Sequence, residues 1–334
     1  MSTAFRLDAA PAWPITFEEV EQTRERLSPY LLPTPLRHYP LLDALMPDGT
    51  SLLVKHENHQ PTCSFKVRNG LAVVTGMSDE ERERGVVAAS TGNHGQGIAY
   101  AASLLGVRAT ICVPVGNNPE KNAAMRAWGA TVVEAGKDYD ESVETMLRIG
   151  QEEGLTVAHS TNDLRVLAGA ATMSLEMLEQ SAGLDAIVIA VGGGSQCVGA
   201  LTVARELAPA LRVYGVQAAG ASAIQESWRT GRPVRGDRAD TFAEGVATRR
   251  PYELTFETLR AGLEDFITVT DAELAEAIRL ILANAHQLVE GSGALGVAGA
   301  LKLRDRLAGQ RVGVVFSGAN LDTKVLRRIL NGEI

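Results

Sequence analysis

Cysteine is scarce: Cys63, Cys112 and Cys197 are the only three in 334 residues. They are odd in number, widely spaced, and form no CxxC pair or zinc-ligand set. That excludes a disulfide framework and makes a reducing cytoplasm the expected compartment. Aromatic residues make up only 5% of the chain. No apolar run reaches the ~18 residues of a membrane span. The opening stretch MSTAFRLDAAPAWP has neither the basic nor the apolar region of a signal peptide. Lysine is also rare, occurring only at Lys55, Lys66, Lys121, Lys137, Lys302 and Lys324. Any lysine chemistry must come from that short set. A net charge of −8 weighs against a nucleic-acid or other general polyanion binder. What the chain has in abundance is glycine, at 33 residues. Its length suggests roughly two domains or one large α/β unit, with core enough to need no staple.

The patterning is regular. From Ile15 to Leu27 apolar residues recur at helical spacing, with Thr16 as N-cap and Glu19 three residues on, the pattern of a capping box. Residues up to about Pro14 read as a loose arm. Pro33 and Pro35 stop any helix, and Ser51–Lys55 reads as a short strand. From Gly85 onward, short β-branched runs alternate with helical stretches. Strands are expected at Gly85–Ala89, Ala109–Val113, Thr131–Glu134 and Thr156–Ala158, then at Ala186–Val191, Arg212–Val216 and Val312–Phe316. The helices between them imply βαβ units and parallel sheets in two α/β domains, with a ligand beyond the strand carboxyl ends. Later helices are expected at Asp271–Leu288, Ala294–Leu307 and Asp322–Leu330, and Arg229–Asp240 reads as an exposed loop.

Three motifs carry chemistry. Gly192-Gly193-Gly194-Ser195 joins an apolar strand to a helix, where backbone N–H groups and the helix dipole can hold a phosphate. Position 197 is cysteine, which breaks a dinucleotide fingerprint, and no Gly-Lys-Ser/Thr follows to make a P-loop. Ser90-Thr91-Gly92-Asn93-His94-Gly95 is a second strand-to-helix junction, rich in donors suited to a carboxylate, or simply an N-capped turn. Lys66, in Ser64-Phe65-Lys66-Val67-Arg68, opens a helical stretch. The dipole there disfavours the ammonium and so favours a neutral amine nucleophile. His56-Glu57-Asn58-His59 has the wrong histidine spacing for a zinc helix, and no metal site is expected.

Together these motifs resemble the fold type II (tryptophan synthase β-like) family of pyridoxal-phosphate enzymes, most closely serine/threonine dehydratases and serine racemases. The resemblance runs from Pro33-Thr34-Pro35-Leu36 through Pro119-Glu120-Lys121 to Ser317-Gly318-Ala319-Asn320. It implies pyridoxal 5'-phosphate as cofactor and Lys66 as its Schiff-base lysine, freed by substrate to act as the base at Cα. Asn93 is implied to bond the ring oxygen, Gly192, Gly193, Gly194 and Ser195 to cradle the phosphate, and Ser317 to meet the pyridine nitrogen. A hydroxyl there leaves the nitrogen largely unprotonated, which suits elimination over transamination. Phe65 and Gly245 are implied to lie near the ring. Ser90, Thr91, Gly92, Asn93 and His94 are implied to clamp the substrate carboxylate. The resemblance also nests the domains, residues 1–74 with 161–334 forming the large one and 75–160 a small mobile one with the cofactor in the cleft between. It suggests a homodimer.

The implied reaction is a β-elimination from a β-hydroxy L-amino acid such as threonine or serine, giving a 2-oxo acid and ammonia. Alternatives on the same fold are a racemase using Lys66 and Thr91, a 3-hydroxyaspartate dehydratase and a β-replacement enzyme. Arg68, Lys137 and Arg165 are candidates for a second substrate carboxylate, although a surface position is the simpler expectation for each. A nicotinamide oxidoreductase or a non-catalytic binding protein would lie outside the family. Departures from the family pattern are Cys63 and Asn69, where glycine is usual, Ser195 for a fourth glycine, and Ala170-Ala171-Thr172 for Gln-Gly-Thr. Gln217 and Ala223 stand at positions that are acidic in metal-dependent members. The chain ends at Ile334, from which no regulatory extension is expected.

Overall fold

The capping box at Thr16 opens the first helix, Phe17–Leu27, with Thr16 and Glu19 bonding each other's backbone N–H. The computed structural model describes residues 13–334; the loose arm expected at the start of the chain lies largely outside them. Ten strands follow: β1 (Leu36–His38), β2 (Ser51–Lys55), β3 (Val86–Ala89), β4 (Ala109–Val113), β5 (Thr131–Glu134), β6 (Thr156–Val157), β7 (Ala186–Ala190), β8 (Arg212–Ala218), β9 (Asp265–Val269) and β10 (Arg311–Val315). Six form one sheet in the order β1-β2-β10-β7-β8-β9, and four form another in the order β5-β4-β3-β6. Strands β3 to β6 all fall between β2 and β7, so the smaller sheet is nested in the chain within the larger.

The apolar runs decide which strands are central. Every residue of β3 and of β7 is buried, as a parallel strand covered on both faces requires. All pairings are parallel except β1 with β2. That antiparallel edge departs from the expected all-parallel sheets. An edge position suits a short strand that follows Pro35, which has no N–H to give a ladder.

Helices Lys66–Thr75 and Asn93–Leu104 cross at two glycines. A Cβ on Gly70 would stand 2.1 Å from the Gly97 carbonyl oxygen, and one on Gly97 would stand 2.4 Å from that of Lys66. Only glycine permits so close a crossing. It brings the helix that Lys66 opens against the helix that Asn93 opens.

The stretch from Ala219 to Thr270 is more ordered than its sequence suggests. It holds helices Ala223–Thr230 and Glu253–Gly262 and the edge strand β9. These elements are short and only partly buried, so their periodicity is weak. Arg229 therefore ends a helix rather than opening a loop; the loop begins after Thr230. Helix Gly291–Lys302 starts earlier than expected because its first turn is Gly-Ser-Gly, which hides a helix start, and residues 303–307, expected to continue it, form turns instead.

Candidate active site

A cavity of about 490 Å³ opens where the two sheets face each other, within the size range of small-molecule sites. Ala89 at the end of β3, Ala190 at the end of β7 and Ser317 just beyond β10 line it, so it sits beyond the carboxyl ends of parallel strands. Phe65, Lys66, the run Ser90 to His94, the run Gly192 to Ser195, and Gly245 also line it. Tertiary folding thus brings the lysine, the two turns, Phe65, Gly245 and Ser317 to one cavity.

Lys66 is the first residue of its helix, and its Nζ donates to the Ser160 carbonyl (3.2 Å). The ammonium lies 5.0 Å from the Phe65 ring centroid. Burial pushes its pKa down to about 8. Among the described residues no carboxylate forms an ion pair with it. The neutral amine that the helix-dipole argument favours is therefore favoured by desolvation as well.

The glycine turn is shaped for a guest. Gly194 takes φ +102° as the N-cap of helix Ser195–Leu207. A Cβ on Gly193 would stand 2.0 Å from Thr161 Oγ1, and one on Gly192 would stand 2.8 Å from the Gly245 carbonyl oxygen. The carbonyls of Gly192 and Gly193 accept from Thr248 Oγ1 (3.3 Å) and Thr255 Oγ1 (2.7 Å). The first-turn N–H groups have no partner within the helix, the arrangement that binds a phosphate.

At the second turn, Ser90 Oγ accepts from the Gly92 N–H (3.1 Å). Asn93 Nδ2 donates to Glu290 Oε1 (2.6 Å), and its Oδ1 accepts from Asn320 Nδ2 (2.7 Å). Neither Ser90 nor Asn93 caps the helix; Gly92 occupies the N-cap with no side-chain bond. His94 is buried and donates Nε2–H to the Ala158 carbonyl (3.0 Å). Burial, and then the Lys66 charge, push its pKa down to about 3, so the ring is neutral. Nε2 is committed to the fold, while Nδ1 is buried without a partner. Ser317 Oγ donates to the Ser292 carbonyl (3.2 Å).

Arg68 is neither a surface charge nor a cavity residue. It is 2% exposed and binds Glu57 (2.8 and 2.8 Å) and Glu176 (2.7 and 2.8 Å) in forked pairs. Lys55 joins through Glu176 (2.6 Å). A lone arginine in sequence gives no sign of two buried carboxylates waiting for it. Lys137 pairs with Glu141, and Arg165 pairs with Asp163. None of the three lines the cavity. The further cation there is Lys121, which pairs with Glu244.

Sequence reasoning missed Glu290, Ser292, Thr161 and Tyr139, all on the cavity wall. Tyr139 Oη meets Ser160 Oγ at 3.0 Å, beside the carbonyl that holds Lys66. The available signal for Glu290 was an acidic residue directly before a Gly-Ser-Gly helix start.

A model of the family described as pyridoxal-phosphate dependent enzyme matches residues 27–318. The L-threonine ammonia-lyase of Thermotoga maritima is 36% identical over 95% of this chain and 78% of its own length. An L-threo-3-hydroxyaspartate ammonia-lyase from a Pseudomonas species is 36% identical over 95% of this chain and 99% of its own. Among solved structures, serine racemase from maize superposes with a TM-score of 0.89 at 27% identity, covering 95% of this chain and 97% of that one.

Proposed function

This chain belongs to the pyridoxal-phosphate-dependent enzymes, and we propose that it is an ammonia-lyase converting a β-hydroxy L-amino acid, of the threonine or serine type, into a 2-oxo acid and ammonia. The observation that carries the reading is the joint geometry of three features around one cavity: a desolvated Lys66 amine, a glycine turn that a Cβ would fill, and a hydroxyl at Ser317. The same features fit the cofactor. Lys66 would hold it covalently through Nζ, and Gly192, Gly193, Gly194 and Ser195 would receive its phosphate. Asn93 and Ser317 would meet the polar atoms of its ring, with Phe65 and Gly245 beside it. When bound, the cofactor supplies the electron sink that acidifies the Cα–H bond and lets the β-substituent leave.

The protein's own groups do the rest. The donors from Ser90 to His94 hold the substrate carboxylate, which fixes Cα against Lys66. The Lys66 amine, freed when the substrate amine takes its place, takes the Cα proton; the β-hydroxyl leaves as water with a proton returned from the Lys66 ammonium, and a water then hydrolyses the released enamine to the 2-oxo acid and ammonia. An amine whose pKa lies near 8 is suited to that exchange at neutral pH. Segment 75–160 moves as a small domain against 1–74 and 161–334. Its support is the set of contacts that join the segment to the rest of the chain: Lys121 with Glu244 and Asn118 with Asp322 (2.8 Å) at the cavity, and Arg249 with Asp140. The enzyme works as a homodimer in the cytoplasm. Among the described residues no helix is long and apolar enough to cross a membrane.

The placement of Arg68 and Arg165 away from the cavity favours threonine or serine over a substrate with a second carboxylate. Such a substrate would have to draw Lys121 from Glu244. A panel of threonine, serine and 3-hydroxyaspartate, scored for 2-oxo acid and ammonia, tests the reading. Silence across the panel with the cofactor bound overturns it. Thr91, half-buried on the cavity wall, keeps racemisation as a second reading. Chiral analysis of recovered substrate, with and without Thr91→Ala, separates the two.

A further inference from the structure

Glu290 is a cavity-lining carboxyl with no part in the mechanism above. It is the N-cap of helix Gly291–Lys302 and is 8% exposed. Its N–H donates to the Gly318 carbonyl (3.0 Å). Its Oε1 accepts from Asn93 Nδ2 (2.6 Å) and from Ser292 Oγ. The far side of the Asn93 amide is fixed as well, because Asn320 Nδ2 donates both to Asn93 Oδ1 (2.7 Å) and to the Thr62 carbonyl (2.9 Å). Ser292 continues the chain, its carbonyl accepting from Ser317 Oγ (3.2 Å). One carboxyl therefore joins Asn93 and Ser317, the two residues assigned to the polar atoms of the cofactor ring.

The surrounding backbone makes room for this arrangement. A Cβ on Gly318 would stand 2.8 Å from Glu290 Oε1 and 3.4 Å from Asn93 Nδ2. A Cβ on Gly245 would stand 2.8 Å from Ser292 Oγ. Both donors end on Oε1. Burial raises the Glu290 pKa against the pull of Ser292, Lys121 and Asn93, and Glu244 adds to the rise. Taking one Nδ2–H of Asn93 in this way leaves the second free for the cofactor oxygen.

We propose that Glu290 is a positioning residue for the pyridine ring, holding the Asn93 amide in the orientation that reaches the ring oxygen. The proposal rests on the cofactor reading of Lys66, Asn93 and Ser317. The test uses the holoenzyme and two readouts besides turnover: the visible absorption band of bound pyridoxal phosphate and the dissociation constant for its rebinding. Glu290→Ala should displace the band and weaken rebinding about tenfold, the scale of one or two lost hydrogen bonds. Glu290→Gln, which keeps a neutral acceptor at the same place, should restore both to within about twofold, a smaller change than one hydrogen bond is worth.

An unchanged band and affinity in Glu290→Ala overturns the positioning role. A Glu290→Gln variant as impaired as Glu290→Ala overturns the acceptor role of Oε1. Should Glu290→Ala fail to fold, Ser292→Ala removes one donor alone and should shift the band in the same direction; no shift there overturns the proposal. Failure of the parent reading looks different, since the unsubstituted protein would then show no visible band with pyridoxal phosphate.

Discussion

Replacing Arg68 with methionine isolates the buried charge cluster beneath the cavity. With Lys55, Arg68, Glu57 and Glu176 in place, two positive and two negative groups sum to zero. Arg68→Met leaves both carboxylates facing one ammonium in a site whose members are at most 8% exposed. Breaking a buried pair in this way costs about 3–5 kcal/mol at pH 8. The cost should also depend on pH. Burial pushes the Glu57 pKa up, but the Arg68 guanidinium and Lys55 together hold it below its ordinary value of 4.5. A depressed carboxylate contributes stability that is present above that value and lost only as pH falls through the lower folded value. The unsubstituted protein therefore gains or loses nothing from Glu57 between pH 8 and pH 5. In Arg68→Met desolvation dominates and the folded pKa of Glu57 rises above its unfolded one. Stability from a raised carboxyl is fullest at low pH and lost as pH rises. The deficit should therefore shrink from pH 8 to pH 5, by at most ~1.4 kcal/mol per pH unit. Urea midpoints at the two pH values, with the slope m unchanged, measure it. A deficit under ~1 kcal/mol at pH 8, or one equal at both pH values, refutes the reasoning.

Three further outcomes follow from the site. In the apoprotein, capture of pyridoxal phosphate needs the neutral Lys66 amine, so its rate should rise with pH to half its limit near pH 8, where Lys66 titrates; a half-value near 10.5 would show that Lys66 is not desolvated. Gly193→Ala should weaken cofactor binding by about 30-fold or more, the ~2 kcal/mol scale of an overpacked site, and Thr161→Gly added to it should recover part of the loss. Additive effects of the two would show that the Cβ does not meet Thr161. Cys63 holds φ +52°. Cys63→Gly should raise stability by about 0.5–1 kcal/mol, read from thermal unfolding, and no gain would show that the turn is unstrained.

Much of the site was legible along the chain because its parts are local. A strand, a glycine turn and a helix start lie within about ten residues of one another in each anion-binding motif, and backbone propensity acts on that scale. Lys66 stood out because so few lysines compete with it and because it opens a helix. Arg68, two residues away, was misread for the opposite reason: one of its partners, Glu176, lies 108 positions downstream. Asn69 is fully buried, with both amide atoms unpaired, where the family pattern has glycine; nothing in the structure explains it.

The sequence alone determined most of the alternating strands and helices, the two glycine-rich turns and the lysine that opens the helix between β2 and β3. Each follows from dihedral preference and side-chain period over a few neighbouring residues. Tertiary structure decided what those local signals cannot hold. It set the desolvation that lowers Lys66, the neutrality of His94, the ion cluster around Arg68, and the bond from Asn93 to Glu290 across 197 positions. Burial and partnership belong to distances in space, and only the meeting of the two sheets creates them.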